Sequence, residues 1–172
     1  LAKWGVSHRF YDPEDPQGLA HMIGAATRLV WFEAPGSVTM EFPDLAKLLQ
    51  VAKSRGVTCA IDNTWGAGIA FNAFAIADGE GSTIGADVVM QALTKYPSGG
   101  GDVLMGSVTT RDEALHLKLK LAHMRMGWGV GANDVELVLR SLPTLHARYR
   151  AQDEAGRALA QWWAGRAEVV QV

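Results

Sequence analysis

The stretch Pro43-Asp44-Leu45-Ala46-Lys47-Leu48-Leu49-Gln50-Val51-Ala52-Lys53-Ser54-Arg55-Gly56-Val57-Thr58-Cys59-Ala60-Ile61 decides the fold. Asp44 is suited to cap a helix. Leu45, Leu48, Leu49 and Ala52 then recur at helical spacing until Gly56. Val57 to Ile61 follows as a continuous apolar run, the pattern of a strand covered on both faces. Upstream, Arg28-Leu29-Val30-Trp31-Phe32 reads as another buried strand, stopped by Pro35-Gly36. Downstream, Ala86-Asp87-Val88-Val89-Met90 reads as a third. Strand, helix and strand at these spacings predict a βαβ unit with a right-handed crossover, hence an α/β protein with a mostly parallel sheet flanked by helices.

Outside this unit the signals vary in strength. The residues up to Pro16 predict a strand and then a loop, because an apolar run precedes two acidic-proline turn signals, Asp12-Pro13 and Asp15-Pro16. Gly18 to Ala26 is weakly helical. Asp112 to Met126 and Asp134 to Trp163 are helix-compatible, with Gly127-Trp128-Gly129-Val130-Gly131 as the loop between them and Pro143 interrupting the second. Trp162-Trp163 and Met124-Met126 read as core or interface positions.

The 172 residues are 48% hydrophobic and 20% charged with net charge -2, the composition of a folded globular chain. Scattered basic residues give no footprint for nucleic acid. No apolar stretch is long enough for a membrane helix. The single Cys59 excludes an internal disulfide and suits a reducing compartment, so a cytoplasmic location is expected. The five histidines show no ligand spacing, and no metal site is expected.

Functional groups on a parallel sheet gather just past the carboxyl ends of its strands. There stand Glu33-Ala34-Pro35-Gly36-Ser37, Asp62-Asn63-Thr64-Trp65 and Gln91-Ala92-Leu93-Thr94-Lys95-Tyr96. Asp62 and Lys95 could be only an ion pair. Alternatively, a carboxylate and a lysine are what a pyridine-aldehyde cofactor needs: one keeps the ring nitrogen charged, and the other forms a Schiff base. Trp65 could be a core residue or a pocket wall.

These blocks, with Tyr11-Asp12-Pro13 and Gly99-Gly100-Gly101-Asp102, occur in the order and spacing of the Cys/Met-metabolism family of pyridoxal-phosphate (PLP) enzymes. The resemblance runs from about Trp4 to Trp163. The Pro-Gly-Ser turn and the Asp-Asn-Thr-Trp run most resemble the bacterial cystathionine β-lyase branch. Departures lie near the lysine: Ala92, Leu93, Pro97 and Gly100-Gly101 replace more usual residues.

The resemblance implies a PLP-dependent transferase-like, aspartate aminotransferase-type large-domain core. Residues 1–145 would be its central part, and 146–172 a linking helix entering a C-terminal domain. The N-terminal segment and most of the C-terminal domain would lie outside this sequence. By the same resemblance Lys95 carries PLP and moves the substrate's α-proton, Asp62 pairs with the pyridine nitrogen, Thr94 helps hold the phosphate, and Ser37 stands near the ring. The implied reaction is β-elimination of cystathionine to homocysteine, pyruvate and ammonia. A γ-synthase, a γ-lyase or an inactive fragment are the alternatives. The implied partners are a small sulfur amino acid and further copies of the chain, as dimer or tetramer.

Overall fold

A computed structural model describes all residues, Leu1–Val172. The chain divides into two compact units, Leu1–Gln91 with Ser107–Gly127, and Ala92–Gly106 with Trp128–Val172.

The first unit is built on the predicted βαβ element. Strand β1 is Leu29–Glu33, helix α2 is Leu45–Ser54 and strand β2 is Thr58–Asp62, preceded in the chain by helix α1, Pro16–Met22. Asp44 caps α2 by accepting from the Lys47 backbone N–H at 3.1 Å. Leu45, Leu48, Leu49 and Ala52 form the buried face of that helix. This stripe meets Phe32 of β1 and Cys59 and Ile61 of β2 in one core cluster that also takes in Leu19 and Ile23 from the α1 region. With Leu48 and Leu49 fully buried, each contributes roughly 1.5–3 kcal/mol of transfer free energy, more than the cap itself. Packing therefore fixes this helix.

Strands β1 and β2 run parallel, with Glu33 opposite Asp62 at their carboxyl ends. Strand β5, Val88–Ala92, is parallel to β2, with Asp62 opposite Met90. The four-stranded order is β1-β2-β5-β6, where β6 is Gly106–Thr109, and a separate antiparallel pair consists of β3, Ile76–Ala77, and β4, Thr83–Ile84. Asp87 pins the entry of β5. Its carboxylate takes the Lys53 ammonium at 2.7 Å and the Cys59 N–H at 2.8 Å, while its own N–H donates to the Cys59 carbonyl at 2.9 Å.

Three expectations change. The segment before Pro16 holds a 3₁₀ turn, Ala2–Trp4, and no strand; residues 1–10 are all exposed, so no neighbouring strand pairs with their apolar run. The short β3, β4 and β6 carry too few residues for an alternating pattern to register. Of the core and interface readings for the apolar residues near the ends of the long helices, the core one falls: Trp162, Trp163 and Met124 are exposed, and α3, Glu113–Met126, buries none of its residues.

In the second unit, α4 is Ala132–Ser141 and α5 is Leu145–Ala164. Pro143 lies in a 3₁₀ turn between them, Leu142–Thr144, where its missing N–H removes no helical hydrogen bond. Val138 and Val103 are the buried aliphatic residues of this unit.

Candidate active site

In the first unit the predicted blocks lie at the carboxyl edge of adjacent parallel strands. Asp62 ends β2 half-buried, and its Oδ1 accepts from the Thr64 N–H at 2.9 Å. The chain then turns tightly: the Asn63 N–H donates to the Met90 carbonyl at 2.8 Å, and the Ala67 N–H donates to the Asn63 carbonyl at 3.0 Å. Asn63 and Thr64 are buried. A Cβ at position 66 would lie 2.1 Å from Asn63 Oδ1 and 3.0 Å from the Phe71 ring, so any residue but glycine there would have to push these side chains aside. Ala67 adopts a left-handed φ of 51°, a backbone cost of roughly 1–2 kcal/mol for an alanine. A carboxylate held by a crowded, strained turn is the sort of geometry that binding sites retain.

Ser37 stands in the loop after β1. Its hydroxyl donates to Glu33 Oε1, so in this arrangement Ser37 offers a ligand only lone pairs. The loop closes through the Gly36 N–H to the Glu41 carbonyl at 2.9 Å. Val38 at its tip has φ 77°, and hydrogen bonding to the Thr39 side chain holds the Glu41 carboxyl below its ordinary range.

Burial dominates the neighbouring titratable groups. Cys59, fully buried in β2, has its thiol pushed up to about 11. Tyr11 donates its hydroxyl to the Trp31 carbonyl at 3.0 Å and is pushed up to about 12 by burial first and by Cys59 second. Both are protonated at neutral pH and serve packing rather than chemistry.

In the second unit Thr94 and Lys95 lie in the turn after β5. The Thr94 hydroxyl is exchanged with the backbone of Met105, accepting from its N–H at 3.1 Å and donating to its carbonyl at 3.3 Å. Lys95 is exposed, so this chain's own fold does not desolvate it. Pro97 and Ser98 behind it are buried.

Neither Asp62 nor Lys95 takes part in any of the five ion pairs, which join Lys47 to Asp44, Lys53 to Asp87, Arg140 to Glu136, Arg150 to Glu154 and Arg157 to Asp153. Taken singly, the carboxylate of the first unit is of a type that suits a basic ring nitrogen, and the amine of the second is of a type that suits an aldehyde. The phosphate is less well served, because Thr94 would have to exchange its bond to Met105 for one to the phosphate. All five histidines are exposed, and no group of three His, Cys, Asp or Glu could hold a metal ion. No helix is long and apolar enough to cross a membrane.

The model of the Cys/Met metabolism PLP-dependent enzyme family matches residues 1–172. The chain belongs to that family. Pyridoxal phosphate is the cofactor of the Cys/Met metabolism enzymes. The chain is 33% identical to a cystathionine beta-lyase of Bordetella avium over all 172 residues, which make up 41% of that relative. A solved cystathionine gamma synthase from Xanthomonas oryzae pv. oryzae superposes with TM-score 0.79 at 32% identity, over 93% of this chain and 39% of the other. A methionine gamma lyase from Micromonospora echinospora gives TM-score 0.80 at 29% identity, over 96% of this chain and 44% of the other. The chain spans under half the length of the curated relatives it matches first. Sequence reasoning missed one residue that organises the second unit, Arg148. A lone arginine within a long helical run gives no sign in the sequence of the carbonyls it will meet.

Proposed function

We propose that this chain is the lysine-bearing portion of a PLP-dependent carbon-sulfur lyase that cleaves cystathionine by β-elimination. The observation that carries the reading is the register of Glu33 and Asp62 at the carboxyl ends of neighbouring parallel strands, with the Pro-Gly-Ser and Asn-Thr-Trp runs following them. When bound, PLP supplies an electron sink for the pair left at the substrate's α-carbon. Asp62 would pair with the pyridine nitrogen and keep it protonated, with the bond from the Thr64 N–H restraining the carboxylate. Lys95 is the residue that would hold PLP through its Nζ and, once the substrate's amino group has displaced it, would carry the α-proton to the departing thiolate. Thr94 and Ser37 are assigned to cofactor contacts, Thr94 to the phosphate. Net, cystathionine and water give homocysteine, pyruvate and ammonia.

A second reading, γ-elimination or γ-replacement, is favoured by the likeness to the γ-synthase and γ-lyase structures. Both readings use Lys95 and Asp62, and they differ in product: β-elimination yields pyruvate, γ-elimination a four-carbon keto acid. The test adds PLP, reduces with borohydride and maps the labelled lysine by mass, then assays keto acids from cystathionine using this chain and a version extended at both ends. Label on Lys95 and pyruvate from the extended version are expected, with little turnover from the 172 residues alone. Label on a different lysine would refute the assignment.

A further inference from the structure

In the second unit, the turn that carries Lys95 has all its carbonyls accounted for. The Ala92 carbonyl accepts from the Lys95 N–H at 3.2 Å, that of Leu93 from the Ser98 N–H at 2.9 Å, and that of Lys95 from the Gly99 N–H at 2.9 Å. The Thr94 carbonyl accepts from the Ser98 hydroxyl at 2.7 Å. These four bonds are local. The Tyr96 carbonyl, immediately after Lys95, differs: it accepts from Arg148 Nη1 at 2.7 Å, 52 residues away in sequence.

Arg148 spends the rest of its guanidinium on the same unit. Nε donates to Thr144 Oγ1 at 3.1 Å. Nη2 donates to Ser141 Oγ at 2.8 Å and to the Ser141 carbonyl at 3.2 Å. The fork thus ties the end of α4 and the start of α5 to the lysine turn, using the planar, multi-donor geometry that lysine lacks. Room for it comes from Gly99, where a Cβ would lie 2.7 Å from Nη1 and 2.8 Å from Cζ. The next residue reinforces the tie, since the Tyr149 ring lies 5.1 Å from that of Tyr96.

We propose that Arg148 is a positioning residue for Lys95, anchoring the Tyr96–Pro97 peptide one residue past the lysine and so restraining the turn from which its side chain leaves. With its N–H groups committed to Tyr96, Ser141 and Thr144, Arg148 is not placed to clamp a substrate carboxylate. The inference rests on the reading of Lys95 as the cofactor lysine. A displacement of about 1 Å at a reacting group costs on the order of a hundredfold in rate, so an anchor on the adjacent carbonyl is well placed to matter.

The experiment measures how fast saturating pyridoxal phosphate labels Lys95, by borohydride trapping and peptide mass, in the parent chain, Arg148→Lys and Arg148→Ala, beside each chain's thermal midpoint. A parent labelled elsewhere, or not at all, overturns the reading of Lys95 and this inference with it. With the parent labelled on Lys95, Arg148→Ala is expected to react at least about tenfold more slowly per folded chain, to recover on addition of guanidinium ion, and Arg148→Lys to fall between. A merely structural arginine would lower the midpoint and leave the rate per folded chain unchanged, and parental labelling rates in both variants overturn the proposal. Should Arg148→Ala fail to fold, Arg148→Lys and Ser141→Ala decide: severalfold slower labelling supports it, and parental rates in both refute it.

Discussion

The turns that follow β2 and β5 do opposite things with their polar residues. After Asp62 the chain is buried and crowded. Asn63 is 2% exposed, its Oδ1 lacks a hydrogen-bond partner, Gly66 has no free space for a Cβ and Ala67 holds a left-handed φ. After Ala92 the chain projects an exposed Lys95 from a turn whose backbone is saturated with hydrogen bonds. The contrast fits the proposed roles: an acid meant to hold one proton at one ring atom is served by rigidity, and an amine meant to form a bond and then carry a proton is served by freedom at its tip and restraint at its base.

Breaking the first turn chemically should give the largest effect. In the extended version, Asp62→Asn is expected to leave borohydride-fixed label on Lys95 unchanged while slowing pyruvate release by about a hundredfold, read from labelling and turnover on the same preparation. Equal turnover would show that the buried turn aims nothing of consequence.

Alkali should act on the strand beneath that turn. The Cys59 thiol, pushed from 9.0 to about 11 by burial, keeps its proton in the folded chain after the unfolded chain has lost it. Its contribution is therefore complete below pH 9 and lost as pH rises through 11, a loss of roughly 2–3 kcal/mol. Urea unfolding at a series of pH values should show this decline in the parent and a shallower one in Cys59→Ala.

Crowding offers a third probe. Gly66→Ala is expected to cost about 1–3 kcal/mol by overpacking, measured as a lower denaturation midpoint. The smallest change belongs to the lysine turn: Ser98→Ala removes the buried 2.7 Å bond to the Thr94 carbonyl and should cost about 1 kcal/mol, because neighbouring bonds still hold that backbone. A larger loss from Ser98→Ala than from Gly66→Ala would reverse the contrast between the turns.

The βαβ unit was legible because its signals agree: the Asp44 cap, the leucine spacing and the unbroken run to Ile61 specify one arrangement. The strand ends followed from that register, and with them the places of Asp62, Thr94 and Lys95 in the chain; the roles assigned to them and to Ser37 rest on the family resemblance. The bonds of the candidate site were not legible. Nothing local tells that the Thr94 hydroxyl will meet Met105, that Ser37 will donate to Glu33, or that Arg148 will reach the Tyr96 carbonyl, since each depends on how loops return in space. Residues 1–10 misled for the converse reason: an apolar run suggests a strand only where a neighbour exists to pair with it.

The Asp87 contact has a consequence at the far end of the sheet. Because its carboxylate and its N–H both engage Cys59, sliding β5 by one residue would break both bonds and part the Lys53 ion pair. Parallel strands have no hairpin to count their offset, so this clamp does the counting for β5. Every position further along that strand inherits its address from it, including the place where the chain turns toward Lys95. A half-buried charge at the amino edge thus acts as the index mark for what stands at the carboxyl edge.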